Sequence, residues 1–242
     1  MSDPSIRLFV EAPLHPGADV PLTESQAHYL GNVMRLQPGA EVLAFNGADG
    51  EWRARVARVA RKSATLEAIG QTRTQEAEPD CWLCFALLKR NKTDFAVEKA
   101  TELGVSVIQP VITDRTQADH VNLDRLRAIA IEAAEQCARL AVPEIRAPVK
   151  LAALLAAWPV GRALYLADER RTAKFLRPSP APAALLIGPE GGFTGAEIAA
   201  IGCNPHVTRV SLGRRILRAE TAAIAGLALL LASDPPEEEQ LV

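Results

Sequence analysis

No stretch of this sequence is long and apolar enough to cross a membrane; the apolar run Ala222–Ala232 falls well short of the roughly 20 residues a spanning helix needs. No signal-peptide pattern opens the sequence. A soluble, cytoplasmic protein with no membrane partner is the expectation. Aromatic residues are scarce, at 5%, so alanine and leucine must carry much of the core. Neither charge sign dominates: 27 Lys and Arg face 29 Asp and Glu, for a net charge of −2. That balance excludes a uniformly basic nucleic-acid binder, and any such role must rest on local patches. Only four cysteines occur, Cys81, Cys84, Cys137 and Cys203. Cys81 and Cys84 have metal or redox spacing, but they sit in the strand-like run Cys81–Leu88, where residues three apart face opposite ways. No second pair follows at zinc spacing, so core thiols and no metal are expected.

What is present suffices for folding. The 242 residues are 48% hydrophobic and 23% charged, enough for one large or two modest domains. Residues 6–69 read as short strands and turns: Arg7–Val10, Glu41–Phe45, Glu51–Val59 and Ala64–Ile69, with Asn46-Gly47 and Asp49-Gly50 as turn signals. Thr23–Met34 reads as a short helix before Pro38-Gly39. Together they spell a small β-barrel-like module. Gln71–Asp80 is polar and unpatterned, a linker.

Beyond it strands and helices alternate, which argues an α/β fold with a mainly parallel sheet. Strands are expected at Cys81–Leu88, Val107–Ile112, Ala163–Leu166, Ala184–Ile187 and Val207–Leu212. Helices are expected at Thr93–Leu103, Leu123–Leu140, Leu151–Ala157 and Ala219–Ala232. The long helix carries a stripe of Leu126, Ala130, Ala133, Cys137 and Leu140, and Thr194-Gly195-Ala196-Glu197 is a capping box that starts a helix to Ile201. The last helix, apolar nearly all round, should be buried in the core or against a second subunit. The tail Pro235–Glu239 should be frayed.

Two segments stand out. Leu185–Thr194 (Leu-Leu-Ile-Gly-Pro-Glu-Gly-Gly-Phe-Thr) and Ser211–Thr221 (Ser-Leu-Gly-Arg-Arg-Ile-Leu-Arg-Ala-Glu-Thr) each run from an apolar strand through glycine into a helix. Ligands of open α/β sheets sit at such strand ends. The residues argue against a phosphate cradle: no Gly-Lys-Ser/Thr follows, the spacing is not Gly-x-Gly-x-x-Gly, Pro189 lacks an amide donor, and Glu190 repels anions. A ligand without phosphate and with some positive charge fits better, and S-adenosylmethionine has those properties. Ile187, Leu212, Ile216 and Leu217 can sandwich its adenine. A rigid turn alone would also explain the glycines, and both readings stand at this point.

At these residues the chain resembles the SPOUT class of methyltransferases, whose C-terminal segments form a deep trefoil knot around the methyl donor. Within that class it is most similar to the 16S rRNA uridine-N3 methyltransferases called RsmE. Five segments carry the likeness: His28–Arg35, with Met34 where leucine is more usual; Lys99–Val105; Glu132–Arg139; Ile187–Phe193; and Leu212–Ala222. The resemblance implies a PUA-like RNA-binding β-barrel over residues 1–72 and a knotted SPOUT domain over 78–242. It implies a homodimer and a substrate of 16S rRNA or the small ribosomal subunit. It assigns the donor to Ile187, Gly188, Pro189, Glu190, Gly191, Gly192, Leu212, Gly213, Ile216, Leu217 and Thr221. The implied reaction, methyl transfer to N3 of a uracil, needs the base held and its anion stabilised or its proton taken. Arg218 is the first candidate to hold a uracil oxygen, and Glu190 and Glu220 are candidate bases. A phosphate clamp or dimer salt bridge is the competing role for Arg218, and helix-dipole compensation for Glu220.

RNA contact is expected from local cations. Arg53 and Arg55 share a strand face; Lys89 and Lys92, with Arg90, form a second cluster; Arg7 and Arg35 follow from the family pattern; and His28 is a further candidate. Arg139 lies on a helical face with Glu132 and Gln136, lining a cleft or a dimer surface. Plainly solvated faces would account for the same residues. The alternatives to the function are another SPOUT RNA methyltransferase, acting on a ribose 2′-oxygen or a tRNA base, and a non-catalytic RNA-binding assembly factor.

Overall fold

The computed structural model describes residues 6–116, 120–168, 173–179 and 182–232. The tail expected to fray lies outside them. The chain divides into two compact units, residues 1–77 with 131–142, and residues 78–130 with 143–242.

The first unit is a five-stranded sheet of β1 (Arg7–Phe9), β2 (Asp19–Leu22), β3 (Glu41–Phe45), β4 (Glu51–Val59) and β5 (Ala64–Arg73), in the order β1-β3-β4-β5-β2. β1 runs parallel to β3, and the remaining pairs are antiparallel. Alternation on β4 buries Trp52, Ala54 and Val56, and turns Arg53 and Arg55 outward. Thr23 caps α1 (Glu24–His28) in a reciprocal capping box with Gln26. The segment expected as one helix then widens into a π-helical turn at Tyr29–Val33. Leu30 in that turn is fully buried, and Gly31 lies where a Cβ would come within 3.1 Å of Val59. The turn is therefore shaped by packing on the sheet rather than by local pattern.

The second unit is an eight-stranded sheet in which every described pairing is parallel. Its strands are β6 (Cys81–Ala86), β7 (Val107–Ile112), β8 (Glu144–Ile145), β9 (Val149–Lys150), β10 (Ala163–Ala167), β11 (Lys174–Phe175), β12 (Ala183–Ile187) and β13 (Val207–Ser211). The order is β11-β13-β10-β12-β6-β7-β8, with β9 also on β7. β6 and β12 are buried at every position, as expected of strands covered on both faces. Cys81 and Cys84 are both buried there, and burial pushes each thiol up to about 12.

Helices α2 (Arg90–Glu102), α3 (Leu123–Gln136), α4 (Leu151–Ala156), α5 (Gly195–Cys203) and α6 (Ala219–Leu230) connect the strands. Two expectations need correction. α3 stops at Gln136, and Ala138 turns with φ +60°, so Cys137 leaves the buried stripe and is exposed. Residues 131–142 also group with the first unit rather than the second. There Arg7 donates to the carbonyls of Ala134, Glu135 and Arg139, and the Glu135 carboxylate accepts from the Phe9 amide. α6 buries a single stripe, Ala219, Ala223, Gly226, Leu227 and Leu230, and leaves its other faces partly covered. Gly226 allows close contact with β12, since a Cβ there would stand 2.6 Å from Leu185 Cδ2.

Candidate active site

Three neighbouring strand ends, those of β13, β10 and β12, open on a cavity of about 470 Å3. That is within the range of small-molecule sites. β12 contributes Ile187, Gly188, Pro189, Glu190, Gly192 and Phe193; the segment after β13 contributes Leu212, Gly213, Arg215, Ile216, Leu217 and Arg218. The loop after β12 closes through the Gly192 amide on the Pro189 carbonyl at 2.9 Å. Gly188 has no room for a side chain: a Cβ would sit 2.8 Å from the Phe193 ring, which itself lines the cavity. Gly213, at φ +124°, turns the chain where its amide meets the Ser211 hydroxyl at 3.2 Å.

β10 was not expected to contribute, yet Leu166, Ala167 and Asp168 line the same cavity. The Asp168 side chain is 4% exposed, and its carboxylate lies 3.8 Å from Arg209. Phe193 and Ile198 were also missed. Gly191 faces elsewhere: its carbonyl accepts from Arg115 at 2.6 Å. Thr221 is exposed and does not line the cavity.

The charged candidates form one cluster. Lys92 Nζ is 2.9 Å from Glu190 Oε1 and 3.6 Å from Glu220 Oε1. The Lys92 hydrogen bond is the main cause holding the Glu190 carboxyl below its usual range, against a smaller opposing effect of burial. A carboxylate so held keeps its charge near neutrality. Glu220 does not line the cavity; its Oε2 is buried with no hydrogen-bond partner. Arg218 precedes α6 as its N-cap residue, is exposed, and lines the cavity.

The candidate RNA-binding residues separate into two groups. In the first unit Arg139 is buried and Arg7 is half-buried. Arg7 is fully engaged, by Glu51 at 2.7 Å and by three carbonyls. The Arg139 carbonyl is one of those three. His28, Arg35, Arg55 and Lys89 are exposed, and Arg53 is half-buried. Arg53 and Arg55 have acidic neighbours, Glu41 at 3.6 Å and Glu67 at 3.9 Å, so this face of β4 is of mixed charge rather than basic. Lys92 belongs to the carboxylate cluster. Among the described residues no group of three or more His, Cys, Asp or Glu is placed to hold a metal ion.

Residues 75–231 match the family model for an RNA methyltransferase domain, and residues 22–69 match that for an RNA methyltransferase PUA domain. The ribosomal RNA small subunit methyltransferase E of Rickettsia conorii is 31% identical over 92% of this chain and 93% of its own. The chain belongs to the ribosomal RNA small subunit methyltransferase E family. The Synechocystis member is 36% identical over 87% of this chain and 72% of its own. The Neisseria gonorrhoeae member, solved bound to S-adenosyl methionine, superposes with a TM-score of 0.84 at 29% identity, covering 92% of this chain and 95% of that one. A putative methyltransferase from Legionella pneumophila, solved with bound cofactor SAM, gives a TM-score of 0.82 at 30% identity over the same shares. The match to the RNA methyltransferase domain thus spans both the cavity and the sheet that frames it.

Proposed function

We propose that the protein methylates N3 of a uridine in 16S ribosomal RNA with S-adenosylmethionine as donor, acting on the assembled small subunit. The observation that carries this reading is the cavity at three parallel strand ends, which combines apolar walls, two carboxylates and two arginines. Family membership supports it. The residues present fit the donor. Ile187, Leu212, Ile216 and Leu217 offer apolar surface to an adenine, and strand-end backbone groups can read its edge. Asp168 and Glu190 provide negative charge for a cationic ligand without phosphate.

S-adenosylmethionine, when bound, supplies an electrophilic methyl group on sulfur. The chain's own task is to hold a uracil so that N3 faces that methyl group, and to stabilise the base as its N3 proton leaves. Arg218 is the group for that: a permanent cation on the cavity wall, able to hold a uracil oxygen and offset the developing anion. Glu190, kept ionised by Lys92, contributes field rather than proton transfer.

The finer architecture follows the same reading. β10 precedes β12 and β13 in the chain but lies between them in the sheet, which supports a trefoil knot of the SPOUT class. The five-stranded N-terminal sheet supports a PUA-like barrel that presents RNA. The partly covered faces of α6 support a homodimer. Calorimetry with S-adenosylmethionine and with its neutral thioether product tests the site's charge. Tighter binding of the sulfonium form is expected, and equal or weaker binding would contradict the roles of Asp168 and Glu190.

A further inference from the structure

A second cavity, of about 310 Å3, opens beyond the end of β6, between the start of α2 and residues 120–125. β6 is the neighbour of β12 in the sheet, with Phe85 paired to Ile187. The two cavities therefore lie at the same edge of one parallel sheet. The first turn of α2 links them: Arg90 and Thr93 line the second cavity, and Lys92 reaches Glu190 of the first.

Their charges differ. The first cavity mixes signs, with two carboxylates, Asp168 and Glu190, and two arginines, Arg215 and Arg218, in its wall. The second has no carboxylate: its polar wall is Arg90, Arg125, His120, Asn122 and Thr93, and the remainder is aliphatic. Arg125 is paired with Asp94 and held in place by it. Arg90 is exposed and has no acidic partner among the described residues. α2 adds to this, since its first turn has no acidic residue and its N-cap side chain makes no capping hydrogen bond. A cationic pocket with an aliphatic wall suits an anion carried on a less polar body.

We propose that this second cavity seats a phosphate-bearing nucleotide of the RNA substrate, with Arg90 as the phosphate contact. The proposal rests on the methyltransferase reading above and names where its substrate is held. The donor, positively charged at sulfur, suits the cavity that has carboxylates in its wall, and the anionic phosphate of the nucleotide suits the one that has none. Arginine is suited to bidentate phosphate contact, and exposure leaves Arg90 free to make it.

The test uses the whole protein, isotope-labelled and titrated with UMP, uridine and inorganic phosphate. UMP is expected to shift amides of residues 90–93 and 122–125, uridine to leave them in place, and Arg90→Ala to abolish the shifts. Shifts confined to the first cavity, shifts that survive Arg90→Ala, or equal affinity for UMP and inorganic phosphate would each overturn the assignment. In methyl-transfer assays on small subunits lacking the modification, Arg90→Ala should raise KM about tenfold, with kcat and donor affinity unchanged. The slope of log affinity against log salt should fall by about 0.7, and Arg90→Lys should recover most of the loss. A wild-type KM in Arg90→Ala would overturn the proposal. A wild-type protein that transfers no methyl group would count against the function itself, and the UMP titration would still decide the cavity.

Discussion

Lys92 and Glu190 are joined across two separate elements, the first turn of α2 and the loop after β12, by a contact of 2.9 Å. The same ammonium stands 3.6 Å from Glu220 on α6. One cation thus ties three elements together beside the cavity. The pair also fixes protonation: Glu190 is held below and Lys92 above its ordinary value, each chiefly by their mutual hydrogen bond.

Lys92→Met should therefore loosen the tie between α2 and the loop after β12 and lower kcat/KM by about tenfold. Lys92→Arg should recover part of it. The sign of the pH effect follows from the lowered Glu190 value: the contact is present above the ordinary carboxylate range and is lost as pH falls through the depressed one. Donor affinity measured by calorimetry should stay flat from neutrality down to about pH 5. In Lys92→Met the acid limb should move upward.

Arg218 and Glu190 should behave differently when neutralised. Arg218→Ala should lower kcat by about 100-fold or more, as loss of a group stabilising a developing anion does, with donor affinity kept within a few-fold. Glu190→Gln should retain measurable kcat and lose donor affinity. Single-turnover rates and calorimetry on both variants separate these outcomes.

Gly226→Val should destabilise the second unit. The glycine meets Leu185, which is fully buried. Overpacking there should cost about 2 kcal/mol, which thermal or urea unfolding will report. Arg7→Ala should cost more, about 3–5 kcal/mol, because it leaves Glu51 buried without its cation. Its folded fraction should keep donor affinity.

Thiol labelling distinguishes core from surface cysteines. Native protein at pH 8 should react with iodoacetamide at Cys137 and Cys203, which are exposed, and not at Cys81 and Cys84. Mass spectrometry of tryptic peptides reads this directly. Denaturation should release the other two.

Five strands of the second unit were legible because they are apolar runs separated by helix signals, and the two glycine loops mark their own strand ends; the two-residue β8, β9 and β11 are too short to carry such a pattern. Asp168 was not legible: it is a lone acid after an ordinary strand, and only the place of β10 between β12 and β13 brings it to the site. Arg7 misled for a related reason. Its partners are 44 residues away at Glu51 and 132 away at Arg139, and no local pattern announces them. The capping box at Thr23 was readable as a helix start, but the π-helical turn that follows depends on Leu30 reaching the core. Cys137 fell on the expected stripe and left it because the helix ends one residue earlier.

The most direct test incubates the purified protein with labelled S-adenosylmethionine and small ribosomal subunits from cells lacking its gene, and identifies the labelled nucleoside by mass spectrometry. Label in 3-methyluridine is the predicted result. Label in any other nucleoside, or none in RNA despite donor binding, would contradict the account.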